Sequence, residues 1–285
     1  SRLKIHAQNF IRKIIWKHRK NSIRKTIEKY AKEQSMETNP NTNVNINKQE
    51  IVLYFRSKGL RETIETYEQE WYIASNGMYS KKYIPTYVFR KYIEPYFNNQ
   101  KCVAAWADKS YYDIFLKDYA FPETIVRNVD GVFYDKEYKL ISMNDAVAII
   151  KQYQFVFLKP SMDSGGGGGV FRIHVHKDNI HDLISTYQKN YVVQLPVEQH
   201  HVLANYNRTS VNVVRAITLF FNNKVHILST TLRVGMKGAV TDNYITDKGY
   251  GMILISVDAD GRISKTGYYA NGKKATMNCG DNYLP

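Results

Sequence analysis

The chain changes from apolar residues at helical spacing to short apolar runs typical of strands. Over residues 3–34, apolar residues recur mostly every three or four positions with Lys and Arg between them, which predicts a basic amphipathic helix. Residues 36–49 are rich in Asn, Thr and Ser and form a predicted linker. From Gln49 to about Gln100 the pattern is helical and rich in aromatic residues.

The rest of the chain mixes the two patterns and becomes rich in strands after Gln194. Predicted helices are 108–119, one ending near Ile150 that Asn144 or Asp145 caps, and one near 178–188. Predicted strands are 123–127, 131–134, 154–158, 170–175, 191–194, 215–221, 224–231 and 252–257. Asn222-Asn223 is predicted to turn the hairpin between the two longest of these strands.

Length and composition limit the class of protein. The 285 residues are enough for two lobes. No run of about 18 apolar residues is present, so no transmembrane helix is expected. The basic start lacks the continuous apolar core of a signal peptide. Cys102 and Cys279 make no disulfide framework, which favours a reducing cytosol.

The positive charge is concentrated at the N-terminus. The net charge is +14, and residues 1–34 hold eleven Lys and Arg against two Asp and Glu. The remaining body is therefore only mildly basic, and its scattered tyrosines show no stacking motif, so nucleic-acid binding is not expected. The basic helix is predicted to dock on the protein's own body or to lie on an anionic membrane.

The most informative stretch is 155–170, where an apolar strand ends in Lys159-Pro160 and five glycines follow at 165–169. Lysine at the end of such a strand places a positive charge at the mouth of a cleft. Glycines allow backbone N–H groups to approach a ligand closely, as in loops that hold phosphate oxygens. The stretch predicts a nucleotide-phosphate site, and the alternative is a flexible hairpin tip.

Several motifs occur in an order that resembles the ATP-grasp superfamily, and in particular its sugar-transfer-associated branch, over about residues 83–285. The sequence motifs that suggest this branch are Ser-Val-Asn-x-Val-Arg at 210–215, Leu-Arg-Val-Gly at 232–235 and Asp-Asn-Tyr at 242–244. The ordered elements are Asp108-Lys109, Phe157-Leu-Lys159-Pro, the strand and polar hinge 192–200, and the strands bearing Arg215 and Arg233.

The resemblance implies an α+β ATP-grasp fold in which two α+β lobes grip ATP between them, with an N-terminal helical extension. The predicted domains are a basic extension (1–35), a linker (36–50), a helical region (51–105), an N-lobe with the glycine loop (106–193) and a C-lobe (194–285).

The resemblance also implies roles for individual residues. The two lysines should face the nucleotide phosphates beneath a lid made by the glycines and Ser164. Residues 194–197 should meet adenine, and Glu198, His200 or His201 should bind the ribose. Arg215 and Arg233 should face the γ-phosphate or an acyl-phosphate, and Asn243 should be a polar catalytic residue. The implied nucleotide-binding residues are Lys109, Lys159, Ser164, Gly165, Gly166, Gly167, Gly168, Gln194, Leu195, Val197, Glu198, His200 and His201.

The expected cofactors are ATP and Mg²⁺, but the acidic ligands depart from the family pattern. Relatives hold two magnesium ions with acidic residues and a Glu-x-Asn motif on late strands. No Glu follows Glu198 in this chain. Asp242 is the candidate local ligand, and the main ligands are expected in residues beyond Pro285.

The resemblance implies an ATP-dependent ligase that converts a carboxylate to an acyl-phosphate and joins it to an amine. The expected reaction joins an amino acid or similar group to a sugar or surface-polysaccharide precursor, such as that of a capsule. The alternatives are an ATP-binding pseudoenzyme or assembly factor and a phosphotransferase on the same fold. We expect a cytoplasmic protein that contacts the inner face of the membrane or a glycosyltransferase through residues 1–34.

Overall fold

The computed structural model describes residues 25, 45–61, 63–99, 101–162, 164, 168–239, 242–243 and 250–275. Within these residues the chain forms two compact units that divide after Gln100. The basic helix expected over 3–34 lies outside the described residues except for Lys25, and Gly165, Gly166 and Gly167 also lie outside them. No helix in the described part is long and apolar enough to cross a membrane.

The first unit is helical, as its sequence pattern predicts. Helix α1 begins inside the segment predicted as a linker, because the Asn47 side chain accepts a hydrogen bond from Glu50 N at 3.0 Å and caps it. Ile51, Phe55, Tyr87 and other apolar residues form its core. The helices are α1 (Lys48–Ser57), α2 (Tyr67–Asn76), α3 (Thr86–Val88), a π-helical turn (Phe89–Ile93) and α4 (Glu94–Phe97).

The second unit begins with short helices that the sequence pattern did not separate. They are α5 (Val103–Ala107), a 3₁₀ turn (Lys109–Tyr111) and α6 (Tyr112–Phe115). The prediction of one helix over 108–119 was wrong, because Asp108 caps only a 3₁₀ turn by accepting from Ser110 N at 2.9 Å. The last helical hydrogen bond is donated by Leu116 N to Tyr112 O.

Six described strands form an antiparallel N-terminal sheet in the order β3-β2-β1-β6-β4-β5. Their apolar residues pack against helices α7 and α8 in one core. The elements are β1 (Thr124–Val129), β2 (Val132–Asp135), β3 (Leu140–Ile141), α7 (Met143–Ile150), β4 (Phe155–Pro160), β5 (Phe171–His174), α8 (Ile180–Tyr187) and β6 (Tyr191–Gln194).

Helix α7 ends where the sequence predicts, but its cap is different. Ser142 is the N-cap, so the prediction of Asn144 or Asp145 was wrong. Ser142 and Asp145 form a capping box in which the Asp145 carboxylate accepts from Ser142 N at 3.0 Å. These hydrogen bonds lower the pKa of Asp145 below its ordinary value.

Four described strands form a second antiparallel sheet in the order β10-β9-β8-β7. The predicted hairpin between β7 and β8 is confirmed, and Asn222 and Asn223 have positive φ angles of 51° and 56° as a tight hairpin turn requires. One face packs its core around Leu232, Val234 and Ile255. The elements are α9 (His201–Ala204), β7 (Val213–Phe221), β8 (Lys224–Val234), β9 (Ile253–Val257) and β10 (Ile263–Tyr269).

A network of side-chain amides fixes the segment that joins the two sheets. Asn207 Nδ2 donates to Gly235 O at 2.6 Å, and Asn212 Oδ1 accepts from Gly235 N at 3.2 Å. Asn212 Nδ2 also donates to Leu203 O at 2.8 Å, and Gln199 Nε2 donates to Asn207 O at 3.2 Å. The end of β8 is therefore tied to the connecting segment through buried, satisfied amides.

The close packing at Gly235 leaves no room for a side chain. A Cβ there would lie 2.2 Å from Ser210 Oγ, 2.9 Å from Ser210 Cβ and 3.0 Å from Val211 O. We expect Gly235→Ala to lower the free energy of unfolding by about 1–3 kcal/mol, because overpacking a buried site displaces its neighbours. Urea-induced unfolding of the full chain measures this change.

A second substitution separates this clash from a general effect of alanine. Ser210→Gly removes both serine atoms that the new methyl group would meet, so the double variant should recover part of the lost stability. A Gly235→Ala protein as stable as the wild type would contradict the packing described for this site.

Candidate functional site

A cleft of about 340 Å³ lies beside β4, at the junction of the two sheets, and its size is in the range of small-molecule sites. Its walls are mostly apolar, and three charged side chains also face it. The apolar residues include Phe155, Phe157, Leu195, Pro196, Val197 and Val211, and the charged residues are Lys159, Arg172 and Asp242.

Alternate residues of β4 give the cleft an apolar end of phenylalanine rings, beside which Arg172 also lies, and a second end at Lys159. Phe155, Phe157 and Lys159 share one face of the strand, because successive side chains point to opposite faces. At about 3.3 Å per residue, the distance along the strand from Phe155 to Lys159 is about 13 Å. This order fits an elongated ligand with a flat apolar part and an anionic tail.

Lys159 is half-buried, and its ammonium has no hydrogen-bond or ion-pair partner among the described residues. Burial lowers the pKa of Lys159 below its ordinary value, and the charge of nearby Lys109 lowers it further. An anion bound in the cleft would relieve both effects. The surroundings of Lys159 therefore favour a negatively charged ligand.

Lys109 holds the beginning of the glycine loop. Its Nζ donates to Ser164 Oγ at 2.9 Å and to the carbonyl oxygens of Pro160 and Ser161 at 3.2 Å each. Its backbone N–H also donates to Ser161 O at 3.0 Å. Lys109 thus brings a second positive charge to the end of β4 and fixes the chain from which the glycines leave.

Gly169 closes the loop against the same part of β4. Its φ angle is +73°, a conformation that favours glycine, and a Cβ there would lie 2.9 Å from Pro160 Cγ and 3.1 Å from the Tyr187 hydroxyl. Gly168 precedes it in a turn. The two ends of the loop are therefore close together beside Lys159.

Arg233 and Asp242 lie on the C-terminal side of the site. Arg233 Nη1 is 3.5 Å from Asp242 Oδ2, and Asp242 also faces the 340 Å³ cleft. Arg233 Nε and Asn243 Oδ1 are buried without hydrogen-bond partners in the described part of the chain. Arg215 is exposed and lines a second cleft together with Arg233.

The family model of the sugar-transfer associated ATP-grasp proteins matches residues 88–278. The chain belongs to this family. No curated protein and no solved structure matches the chain. Membership confirms the α+β ATP-grasp fold expected from the motifs and indicates an ATP-dependent enzyme of the ATP-grasp kind.

Some residues that the resemblance assigns to ATP lie outside the cleft wall. Gln194 is buried, and its Nε2 donates to Thr124 Oγ1 at 2.8 Å. His200 caps α9, because its Nδ1 accepts from Val202 N at 3.3 Å. Glu198 and His201 are exposed. The adenine role of Gln194 and the ribose roles of the other three residues stay predictions.

The cleft also contains residues that the motifs did not indicate. Phe155 and Phe157 could have been found from strand alternation, since they precede Lys159 by four and two positions. Arg172 is on β5, where it lies opposite Phe157 of β4. Its guanidinium lies 4.6 Å from the centre of the Phe155 ring. No motif singles out this arginine, because its position depends on the pairing of β4 with β5.

Arg127 is a buried positioning residue that the sequence did not reveal. It lies on β1, and its Nε donates to Ser110 O at 2.9 Å and its Nη1 to Asp135 O at 2.8 Å. It also forms an ion pair with Asp113, and its guanidinium lies 3.9 Å from the centre of the Tyr138 ring. Arg127 thereby fixes to the sheet the 3₁₀ turn that begins at Lys109.

ATP-grasp proteins generally bind ATP with Mg²⁺, which requires several oxygen ligands close together. The described residues contain no group of three or more His, Cys, Asp or Glu that could hold a metal ion. Asp242 is paired with Arg233, and Asn243 contributes only a neutral amide oxygen. These residues do not by themselves fit a magnesium centre, so the assignment of Asp242 as a ligand stays a prediction.

The lowered pKa of Lys159 leads to a prediction about how its amine reacts with acylating reagents. At mildly alkaline pH, a lysine of lower pKa has a larger fraction of neutral amine, which is the form that acylating reagents attack. A bound triphosphate would raise this pKa and shield the amine. Labelling followed by peptide mass spectrometry should therefore show that ATP slows acylation of Lys159.

Lys177 is the internal control for this labelling, because it is exposed and lies outside the cleft. Its rate of acylation should be the same with and without ATP. Equal rates for Lys159 in the two conditions would contradict the placement of an anion beside it.

The substitution Arg127→Met tests whether Arg127 holds the 3₁₀ turn that begins at Lys109. We expect a loss of about 3 kcal/mol or more in the free energy of unfolding, because each hydrogen bond to a charged group contributes about 1.5–3 kcal/mol. Lys139→Met, at an exposed position, should leave stability nearly unchanged. Urea unfolding measures both variants, and equal stability of the two would show that Arg127 does not hold this segment.

Proposed function

We propose that this protein is an ATP-dependent carboxylate–amine ligase that acts through an acyl-phosphate. The observation that carries the proposal is the half-buried ammonium of Lys159 at the polar end of an apolar cleft, where no described residue forms a hydrogen bond or an ion pair with it. Membership of the sugar-transfer associated ATP-grasp family supports the same reaction class.

In this proposal the nucleotide lies along β4. Adenine contacts the apolar end of the cleft at Phe155, Leu195 and Val197. The phosphates extend toward Lys159, beside the two ends of the glycine loop. Lys109 lies next to them, and its ammonium already binds the oxygens of the loop. Lysine ammonium groups of this kind bind phosphate as compact charges.

The first chemical step is phosphoryl transfer to the carboxylate substrate. A carboxylate oxygen attacks the γ-phosphorus, the bond to the β–γ bridging oxygen breaks, and ADP leaves with the released electron pair. Lys109, Lys159 and the two arginines Arg215 and Arg233 supply positive charge where negative charge accumulates. Arginine also binds a phosphate or carboxylate group through two parallel hydrogen bonds.

The second step joins the amine to the activated acid. The amine nitrogen attacks the acyl carbon, the bond to the phosphate oxygen breaks, and inorganic phosphate leaves while the nitrogen loses a proton to solvent. The apolar walls of the cleft reduce the access of water, which would otherwise hydrolyse the acyl-phosphate. We place one substrate among sugar-containing precursors of a surface polysaccharide, because the family is associated with sugar transfer.

Hydroxylamine trapping tests this reaction with the full chain. Hydroxylamine replaces the unknown amine, so incubation with ATP, magnesium and a panel of sugar acids and amino acids should release ADP and form a hydroxamate with the true carboxylate substrate. ADP release with a stable phosphorylated product and no hydroxamate would identify a phosphotransferase. Nucleotide binding without ADP release across the panel would identify a pseudoenzyme, and either result would overturn the ligase proposal.

Lys159→Met should weaken ATP binding by about 10-fold or more, because a hydrogen bond to a charged group contributes about 1.5–3 kcal/mol. Fluorescence titration with a labelled nucleotide, displaced by ATP, measures the affinity. Lys177→Met removes an equal charge at an exposed position and should bind ATP as the wild type does. If the two variants bind ATP equally well, Lys159 does not contact the phosphates.

A further inference from the structure

The C-terminal sheet has an outer face of mixed polar and apolar side chains, opposite its apolar core. A cleft of about 490 Å³ lies on this face, and no carboxylate lines it in the described part of the chain. Strand pairing places six of its seven lining side chains in two rows, each crossing three strands, and Ile217 lies beside the first row. The first row is Arg215, Thr231 and Ser256, and the second is Arg233, Leu254 and Tyr268.

The two rows offer different chemistry to one ligand. Cross-strand neighbours on one face lie about 4.5–5.5 Å apart, so adjacent side chains of a row can contact the same ring. The first row presents a guanidinium followed by two hydroxyl groups. The second row presents Leu254 and the half-exposed ring of Tyr268. Such a surface suits a molecule with an anionic end, several hydroxyl groups and an apolar ring face.

The charges on this face select an acid over an amine. Arg215 forms no ion pair with any described carboxylate, and Arg233 Nε is buried without a hydrogen-bond partner within the described residues. No described carboxylate lines the cleft, and Asp242 at its border is already paired with Arg233, so an ammonium group would meet mainly like charges there. A carboxylate would instead pair with Arg215 in the two-pronged geometry that guanidinium groups favour.

The position of the face relative to the nucleotide cleft also fits an acid that is to be activated. Arg233 lines the 490 Å³ cleft, and its ion-pair partner Asp242 lines the 340 Å³ cleft. The Arg233–Asp242 pair therefore forms the border between the two clefts. A carboxylate held by the arginines would lie at that border, next to the proposed nucleotide cleft.

We propose that this outer sheet face binds the carboxylate substrate and that the substrate is a sugar acid, an inference that rests on the proposed ligase function. Arg215 and Arg233 bind the carboxylate. Ser256 and Thr231 hydrogen-bond the ring hydroxyls, and Tyr268 packs against the apolar face of the sugar ring. The amine substrate approaches from elsewhere, since no carboxylate among the described residues lines this cleft to pair with it.

Binding of two uronic acids to the full chain tests the proposal. D-glucuronate and D-galacturonate are titrated by calorimetry, with and without the non-hydrolysable ATP analogue AMP-PNP, and D-glucose serves as the uncharged comparison. At least one uronate should bind and glucose should not. Failure of both uronates to bind in either condition would overturn the proposal. Failure of AMP-PNP alone to bind would overturn the ligase function and would leave the sugar-acid test valid.

Matched variants locate the site. Arg215→Met should weaken uronate binding by about 10-fold or more, and Tyr268→Ala by about two- to tenfold, while Tyr268→Phe keeps the ring and should bind nearly as the wild type. Ser229→Ala, on the same sheet face but outside the cleft lining, is the control and should change nothing.

Tyr268→Ala should also bind AMP-PNP with unchanged affinity, which distinguishes loss of the sugar-acid site from general unfolding. Uronate affinities of Arg215→Met and Tyr268→Ala that equal the wild type would place the acid elsewhere. If either variant fails to fold, Ser256→Ala is measured instead, and its affinity should fall relative to Ser229→Ala. Equal affinities of these two serine variants would likewise overturn the proposal.

Discussion

The antiparallel pairing of β4 with β6 is the constraint on which the site depends. Its register places Phe157 opposite Gln194 and Lys159 opposite Val192. The apolar end of β4 therefore lies beside the segment that leaves β6 at Leu195, and the lysine lies farther along the strand, next to the glycine loop. A shift of one residue would turn Lys159 to the other face of the sheet, toward the apolar core.

The supporting structure holds this arrangement without help from a ligand. Arg127 fixes the turn that begins at Lys109, and Lys109 in turn binds the oxygens at the start of the loop. On the other side, Asn207 and Asn212 bond both backbone groups of Gly235 and so fix the end of β8. Preorganised charges of this kind stabilise developing charge better than groups that must first reorient.

Within the described part of the chain, this preorganisation leaves positive charge without a partner. Lys159 is half-buried beside a second lysine, and burial of a charge without a partner is unfavourable. A folded protein tolerates such a cost where a ligand supplies the missing charge. Arg215 on the outer sheet face also lacks an ion pair with any carboxylate of the described part, although its side chain is exposed rather than half-buried. One anionic nucleotide and one anionic acid would together neutralise the site.

Many of the strands and turns could be predicted from the sequence, because strand alternation and turn residues are local signals. The strand 191–194 and the hairpin around Asn222-Asn223 are examples. Strand β10 was missed, because its sequence Ile-Ser-Lys-Thr-Gly-Tyr-Tyr lacks a clear apolar alternation and its buried Gly267 packs against Ile253 instead.

Site residues were predictable only where a local pattern, such as a motif or strand alternation, carries them. Lys159 ends an apolar strand before five glycines, which is a local pattern. Arg127 and Arg172 take their roles from partners that strand pairing and tertiary packing bring to them, such as the carbonyl oxygens of Ser110 and Asp135. The motif order also suggests ribose contacts for His200; that role stays a prediction, and in the structure its imidazole caps a short helix. Long-range pairing decides such roles, and no short segment contains it.

Calorimetric titration of the full chain with adenosine, ADP and ATP, in the presence of magnesium, tests the central claim most directly. If the lysines and arginines meet the phosphates, affinity should increase strongly from adenosine to ADP to ATP, with one saturable site. Binding of ATP no tighter than that of adenosine, or no binding of any of the three, would contradict the account.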